Sequence, residues 1–463
     1  MKRAVLFPFM DFSTLEKRHA ACTAEVEISG AAAPGLYLGV VPITREGDRL
    51  ALGGGGEVIE FAVKMRRFDS GLTLDKVAER GELNAPVTRA LAAAVVRAHA
   101  VAPIRRGFDI AGRLGMYIAD STREFTARPE LFPPDDIAEL ARLSDAALER
   151  VAPVLKSRSA AGFVRRCHGD MHLRNVVLLD GEPVLFDAIE FNDEIATCDV
   201  LYDLAFLLMD LWQRGLKAQA NDVFNRYLWA SDDAQIEALQ ALPLFLSIRA
   251  AIRAKVEGAG LAHLSSDARS QAERRVRHAF AEALRFLASE PRDATKDRPR
   301  LVAIGGLSGS GKTTQAIKIA CDFSPAPGAV IVRSDIERKR MFGVAETDRL
   351  PPEAYTAEVG ARVYDRLRDV VRRVLACGYC AIVDAVHARA TERDAIEAVA
   401  EEAGVRFSGV WLDVPVPELL RRVDARMGDA SDADARVVQH QTSYDLGEIK
   451  WRRTGALKSL AES

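Results

Sequence analysis

The ten residues GGLSGSGKTT at 305–314 restrict this chain more than any other stretch of it. Gly306, Gly311, Lys312 and Thr313 stand in the spacing G-x-x-x-x-G-K-[ST]. A loop of this composition wraps an anion with successive backbone N–H groups, and its glycines permit positive φ angles and close approach. The helix that follows aims its positive end at the same anion. Gly309, Ser310 and Thr314 belong to this nucleotide cradle; Lys312 is placed for β/γ phosphate oxygens and the Thr313 hydroxyl for Mg²⁺. Such a loop works only between a strand and a helix. The apolar run 302–304 before it and the helical pattern from Lys312 supply that context, against the alternative of a glycine-rich turn that binds nothing.

A strand ending in this loop demands a sheet around it. GAVIVRSD, YCAIVDAV and FSGVWLDV are three more apolar runs rich in Val or Ile, separated by helical patterns such as GARVYDRLRDVVRRVLA. Continuous apolar strands alternating with amphipathic helices predict a doubly wound parallel sheet covered on both faces. In such sheets the carboxyl ends of the strands converge on the ligand. Asp335 and Asp384 each end one of these runs. Asp384 suits a metal, often through water, and Asp335 suits the proton of an attacking hydroxyl. Either could instead cap the next helix. Arg338, beside Asp335, is a natural anion partner and a candidate substrate-binding group. Farther on, Arg422 and Arg426 lie four apart on a predicted helix and Arg436 follows a polar turn. Arginines on such a helix–loop–helix can close over a nucleotide, the alternative being a solvated basic face.

The other half of the chain carries a different device. RRCHGDMHLRNVVLLDGEPVLFDAIEF, at 165–191, holds Asp170, Asn175 five residues later, and Asp187 after a hairpin with Asp180 and Gly181 in its turn. This is the layout H-x-D-x-x-x-x-N … D. Phosphoryl transfer needs a carboxylate to meet the acceptor hydroxyl, which suits Asp170, and two metal ligands, which suits Asn175 and Asp187. His168 reads as a brace for the loop.

At 463 residues the chain exceeds one ordinary core. The polar, proline-bearing segment 289–300 reads as a linker between a domain over 1–288 and another over 301–463. Lys plus Arg number 63 against 66 Asp plus Glu, a balance that argues against a nucleic-acid partner. Six scattered cysteines suggest a reducing cytoplasm; Cys377 and Cys380 form a C-x-x-C that reads as core thiols. No apolar run is long enough to span a bilayer, and the brief apolar start is broken by Pro8 and Asp11. Oligomeric state has no signature here.

Two resemblances follow from these motifs. Through GLSGSGKTT, RSDIERKRMFG, IVDAVHARATER and RRVDARMGDASDAD, residues from about 300 to 450 resemble small P-loop kinases of the zeta-toxin and gluconate-kinase type. CHGDMHLRNVVLLDGEPVLFDAIEF resembles the aminoglycoside phosphotransferase and choline kinase group, which has a protein-kinase-like fold. FPFMDFSTLEKRHAACTAEVEISGAAAPGLYLGVVPIT and AVKMRRF also fit a bacterial two-part family that joins such domains. The resemblances imply α/β and α+β domains that use ATP and Mg²⁺ to phosphorylate a hydroxyl on a small molecule, of the sugar or amino-sugar class.

One departure concerns the small lobe, which a kinase-like domain builds from a hairpin over the phosphates and a strand Lys paired to a helix Glu. Glu25 suits the helix position and Lys2 the strand position, whereas Lys64 in AVKMRRF belongs to the strand leading to the hinge and GGGG at 53–56 to a turn. Nothing precedes Lys2 to build the hairpin, so the lobe is expected to be truncated. Two other readings stay open: a regulatory switch whose amino-terminal half binds ligand without chemistry, and a nucleic-acid end kinase.

Overall fold

The computed structural model describes residues 1–7, 10–231, 233–261, 264–288, 299–425 and 430–455. In the amino-terminal half, helix Leu15–Ala32 packs on a three-stranded antiparallel sheet in the order Arg49–Leu52, Tyr37–Glu46, Glu57–Met65. Thr14 starts the helix by accepting the Lys17 backbone N–H. The four glycines at 53–56 turn the chain between two strands, and Glu57–Met65 leads out of this lobe. Lys2 lies in an irregular segment ahead of the short strand Leu6–Phe7, so it is not the strand lysine that the sequence suggested.

A helical region follows. Its helix Val200–Gln213 is buried along almost its whole length. The hairpin Val176–Leu179 and Glu182–Leu185 packs against helix Ala85–Val101 through its second strand. Asp180 and Gly181 both have positive φ, 53° and 86°, which matches the right-handed twist of the paired strands. The hairpin sets the separation between Asn175, just before its first strand, and Asp187, just after its second.

In the carboxy-terminal half five parallel strands run in the order Val330–Arg333, Ala381–Asp384, Arg300–Gly305, Arg406–Leu412, Arg452–Thr454. Alternate residues serve opposite faces. Leu301, Ala303, Val330 and Val332 join one apolar cluster, and Val302, Ile304, Ile331 and Ile382 join another. Both faces are therefore buried, as uninterrupted apolar strands require. Register aligns Arg333 and Ile304 with Asp384, so three strand ends meet at one level below the glycine loop. Asp335 is not at a strand end: the strand stops at Arg333, and Asp335 lies in the first turn of helix Ser334–Met341. The predicted linker falls largely on 289–298, outside the described residues. Cys380, in the core, and Cys377, half-buried against it, are free thiols that burial pushes up to about 11. Among the described residues no helix is long and apolar enough to cross a membrane.

Candidate functional site

Strand Arg300–Gly305 delivers the chain into the glycine loop, and helix Lys312–Ala320 leaves it. Only glycine fits at two places. Gly306 has φ 137° and a Cβ there would meet the Leu412 carbonyl oxygen at 2.9 Å; Gly309 has φ 83° and a Cβ would meet the Leu419 carbonyl oxygen at 2.6 Å. Gly311, also at positive φ, turns the chain into the helix. The Lys312 ammonium reaches back across the loop and donates to the carbonyls of Gly306 at 2.8 Å and Leu307 at 3.1 Å. The Thr313 hydroxyl donates to Asp384 Oδ2 at 2.5 Å, and Asp384 is buried. Thr314 is exposed in the first helical turn, and Ser310 is buried in the loop.

Arg422 comes to the loop from helix Val416–Asp424: its Nη1 donates to the Ser310 carbonyl at 3.4 Å while its Nε holds Glu418 at 2.7 Å. Arg426 lies outside the described residues, and Arg436 is exposed at the start of helix Ala435–Gln441. Asp335 is half-buried. Arg338 donates to the Ala354 carbonyl at 2.6 Å and covers the Tyr355 ring, with 5.1 Å from guanidinium carbon to ring centre. Tyr355 in turn donates to Asp432 at 2.7 Å. Burial, the bond to Asp432 and the charges of Asp432 and Asp335 raise the phenol's pKa. Asp335 is near enough for its charge to act on the Tyr355 phenol.

The second candidate site lies in the amino-terminal half. The Asn175 side-chain amide donates to Asp170 Oδ2 at 2.9 Å and to the Asp170 carbonyl at 3.0 Å, which leaves its own oxygen for another partner. Burial works to raise the Asp170 pKa, but the hydrogen bond and charge of His172, with His168 and Arg249, hold it below the usual range. His168 braces the loop: Nε2 meets the Phe186 carbonyl at 2.9 Å and Nδ1 accepts the Asp170 N–H at 3.3 Å. Asp187 has φ 61° and donates its N–H to the Tyr37 hydroxyl at 3.0 Å. Its carboxylate lies in a residue open to solvent, yet desolvation by the surrounding protein and the charges of Glu25 and Asp170 raise its pKa against the pull of Lys2. Lys2 Nζ sits 2.7 Å from Glu25 Oε2 and also pairs with Glu190. Glu190 had no counterpart in the sequence reading.

The sequence reading also missed what holds this loop from beneath. Asp203, fully buried, accepts the N–H groups of His168 at 3.2 Å and Gly169 at 2.8 Å, and pairs with His99 at 3.2 Å. Arg249 donates to the Gly169 carbonyl at 3.0 Å. Asp210 accepts the Leu173 N–H at 3.0 Å. Asp203 and Asp210 are two turns apart on the same face of helix Val200–Gln213. Two acids at i and i+7 in an otherwise apolar helix were the signal available.

Both sites offer hard oxygen donors, Thr313 with Asp384 and Asp170 with Asn175 and Asp187, which is the chemistry a magnesium ion takes. Desolvation first, and then the charges of Glu25 and Asp170, raise the Asp187 pKa, and a bound cation would offset both.

Comparison with known proteins matches two family models to the chain. Residues 16–239 match the model of the phosphotransferase enzyme family, and residues 301–444 match that of an AAA domain. Uncharacterized proteins of Mycobacterium tuberculosis and Mycobacterium bovis are 27% identical over 459 residues, covering 96% of this chain and 87% of theirs. Among solved structures, a glucosamine kinase in complex with glucosamine, ADP and inorganic phosphate is 16% identical, covering 58% of this chain and 66% of that one, with a TM-score of 0.31. The APS kinase of Mycobacterium tuberculosis in complex with AMPPNP and APS is 24% identical, with coverage of 28% and 70% and a TM-score of 0.22. A gluconokinase from Sinorhizobium meliloti is 19% identical, with coverage of 34% and 81% and a TM-score of 0.22. The chain is an enzyme of the phosphotransferase type, in which a phosphotransferase-family domain precedes an AAA-type P-loop domain.

Proposed function

We propose that the enzyme moves the γ-phosphoryl group of ATP to a hydroxyl of a small metabolite of the sugar or amino-sugar class, with ATP·Mg bound by the carboxy-terminal P-loop. The observation that carries this reading is the Thr313 hydroxyl 2.5 Å from Asp384 on the loop that also holds Lys312. Lys312 would meet the β/γ oxygens, and Thr313 with Asp384 would hold Mg²⁺. When bound, the ion neutralises charge on the phosphates. Arg422 stands at the loop to add positive charge, and Asp335 takes the proton of the acceptor hydroxyl. The acceptor lies beside Asp335 against Arg338, Tyr355 and Asp432, a wall of hydrogen-bonding groups with one ring, suited to a polyhydroxylated molecule.

The amino-terminal half, over 1–288, is proposed as a second transfer site. Asp170, ionised at neutral pH, orients a hydroxyl, and Asn175 and Asp187 hold the cation. The P-loop domain is assigned to 301–463 and the protein to the cytoplasm. The test is an ATP-consumption screen of the full chain over sugars, amino sugars and nucleosides, run beside Lys312→Ala. Consumption driven by a sugar or amino sugar and lost in Lys312→Ala supports the reading. Consumption driven only by nucleosides or polynucleotides contradicts the acceptor class.

A further inference from the structure

Strand Val330–Arg333 is one edge of the parallel sheet, and helix Lys217–Ala230 of the amino-terminal half bonds to it. Trp229, at the end of helix Lys217–Ala230, donates its indole N–H to the Ile331 carbonyl at 2.8 Å. The Trp229 ring centre lies 5.2 Å from the Arg333 guanidinium carbon. Arg226, one turn earlier, lies 5.7 Å from the same ring and is fixed by bonds of 2.9 and 3.0 Å to Asp222. Glu346 Oε1 stands between the two arginines, 3.8 Å from Arg226 Nη1 and 3.9 Å from Arg333 Nη1. The far side of the Arg333 guanidinium reaches the P-loop. Its Nη2 donates to Thr313 Oγ1 at 3.2 Å and its Nε is 3.4 Å from Asp384 Oδ2.

This arrangement fixes the direction of one hydroxyl. A threonine hydroxyl has one proton and two lone pairs. The Thr313 proton goes to Asp384, and Arg333 takes one lone pair. The other is left for a cation. An aromatic face attracts a guanidinium, most strongly where water is excluded, and Arg333 is 3% exposed. We propose that Trp229, from the amino-terminal half, is a positioning residue for the cation-binding corner of the P-loop, acting through Arg333. The inference rests on reading Lys312, Thr313 and Asp384 as the ATP·Mg site. It makes a specific demand. Loss of the Trp229 face lets Arg333 and the Thr313 hydroxyl reorient, so binding of the cation suffers while Lys312 and the backbone N–H cradle keep their hold on the phosphates.

The experiment titrates ATP into the full chain by calorimetry over a series of Mg²⁺ concentrations. The P-loop component is the one that Lys312→Ala removes. Trp229→Leu is expected to raise the Mg²⁺ midpoint of that component about tenfold, with metal-free ATP affinity unchanged. Trp229→Phe also loses the bond to Ile331 but keeps an aromatic face, and is expected to stay within about twofold of wild type. Arg333→Gln should match Trp229→Leu, and the double variant should be no worse than either. If Trp229→Leu does not fold, Arg333→Gln and Trp229→Phe carry the comparison alone. A wild-type Mg²⁺ midpoint in Trp229→Leu or Arg333→Gln overturns the inference. Equal loss in Trp229→Leu and Trp229→Phe overturns it too, by reducing Trp229 to packing. A wild-type chain with no Lys312-dependent ATP binding overturns the underlying reading as well, and does so before any Trp229 variant is compared.

Discussion

The Asn225 side-chain oxygen accepts the Ile331 N–H at 2.7 Å, and its amide nitrogen donates to the Ala329 carbonyl at 3.1 Å. One side chain from a helix thus meets an edge strand as the backbone amide of a neighbouring parallel strand would. Asn221, one turn earlier, donates to the Pro327 and Ala329 carbonyls at 3.0 and 3.1 Å. This edge of the sheet is closed by the other half of the chain, which removes a template for unwanted strand pairing. Ion pairs add to the seam: Asp233 meets Arg373 at 2.7 Å, Arg366 at 3.1 Å and Arg340 at 3.3 Å.

Asn225→Leu keeps the branched shape of this side chain and strips its hydrogen bonds. It leaves a buried N–H and a buried carbonyl at Ile331 and Ala329 with a partner lost, at a cost of about 2 kcal/mol or more. Denaturant unfolding of the full chain should show that loss. An unchanged midpoint would mean the helix does not close the strand.

Asp203→Asn should destabilise the chain by about 3 kcal/mol, because the buried Arg249 then faces no carboxylate at Asp203. The same change should raise hydrogen exchange most at the His168 and Gly169 amides, whose N–H groups the Asp203 carboxylate accepts. Wild-type exchange at those two amides would contradict the clamp.

His387 supplies a pH test. Burial lowers its pKa to about 3, helped by the charges of Lys312, Arg393 and Arg368, from an ordinary value of 6.5. The unfolded chain therefore binds a proton that the folded chain refuses between those values. Stability is lost as pH falls through that window, by up to roughly 1.4 kcal/mol per pH unit from this group. His387 has φ 49°, a conformation that Asn tolerates best among residues with a side chain of similar polarity. His387→Asn should lose less melting temperature between pH 7 and pH 4 than wild type. Parallel curves for the two proteins would remove His387 as the cause.

The sequence made some of these features legible and concealed others. Lys312 and Thr313 were readable because a phosphate loop is contiguous, and Asp170 with Asn175 because their spacing lies within one turn of chain. The Lys2–Glu25 pair followed from aligning a lysine with a helix glutamate, and its ion pair at 2.7 Å forms although Lys2 is in no strand. Asp335 was placed on a strand because the apolar run gives no sign of where pairing stops; the helix begins at Ser334. Trp229 and Ile331 are 102 positions apart, and no local pattern pairs them. Asp203 and Asp210 looked like flaws in an apolar helix, and their purpose is visible only with the loop folded over them.

The role proposed for Asp335 separates binding from turnover. Asp335→Asn should lower acceptor-dependent turnover by about two orders of magnitude while ATP affinity stays near wild type, as loss of a proton acceptor would. Steady-state rates beside calorimetric ATP titration decide it. Surviving turnover with collapsed ATP affinity would make Asp335 a metal ligand instead.

The most direct test of the account is the affinity of the full chain for ATP·Mg, compared between wild type and Lys312→Ala by calorimetry. Lys312 reaches back across the loop to the Gly306 and Leu307 carbonyls, and the proposed function gives it the β/γ phosphate oxygens. The account predicts that one binding component disappears in Lys312→Ala and that transfer of labelled γ-phosphate to a hydroxyl acceptor falls with it. A variant that binds ATP·Mg as tightly and as completely as wild type would contradict the assignment of the P-loop as the nucleotide site.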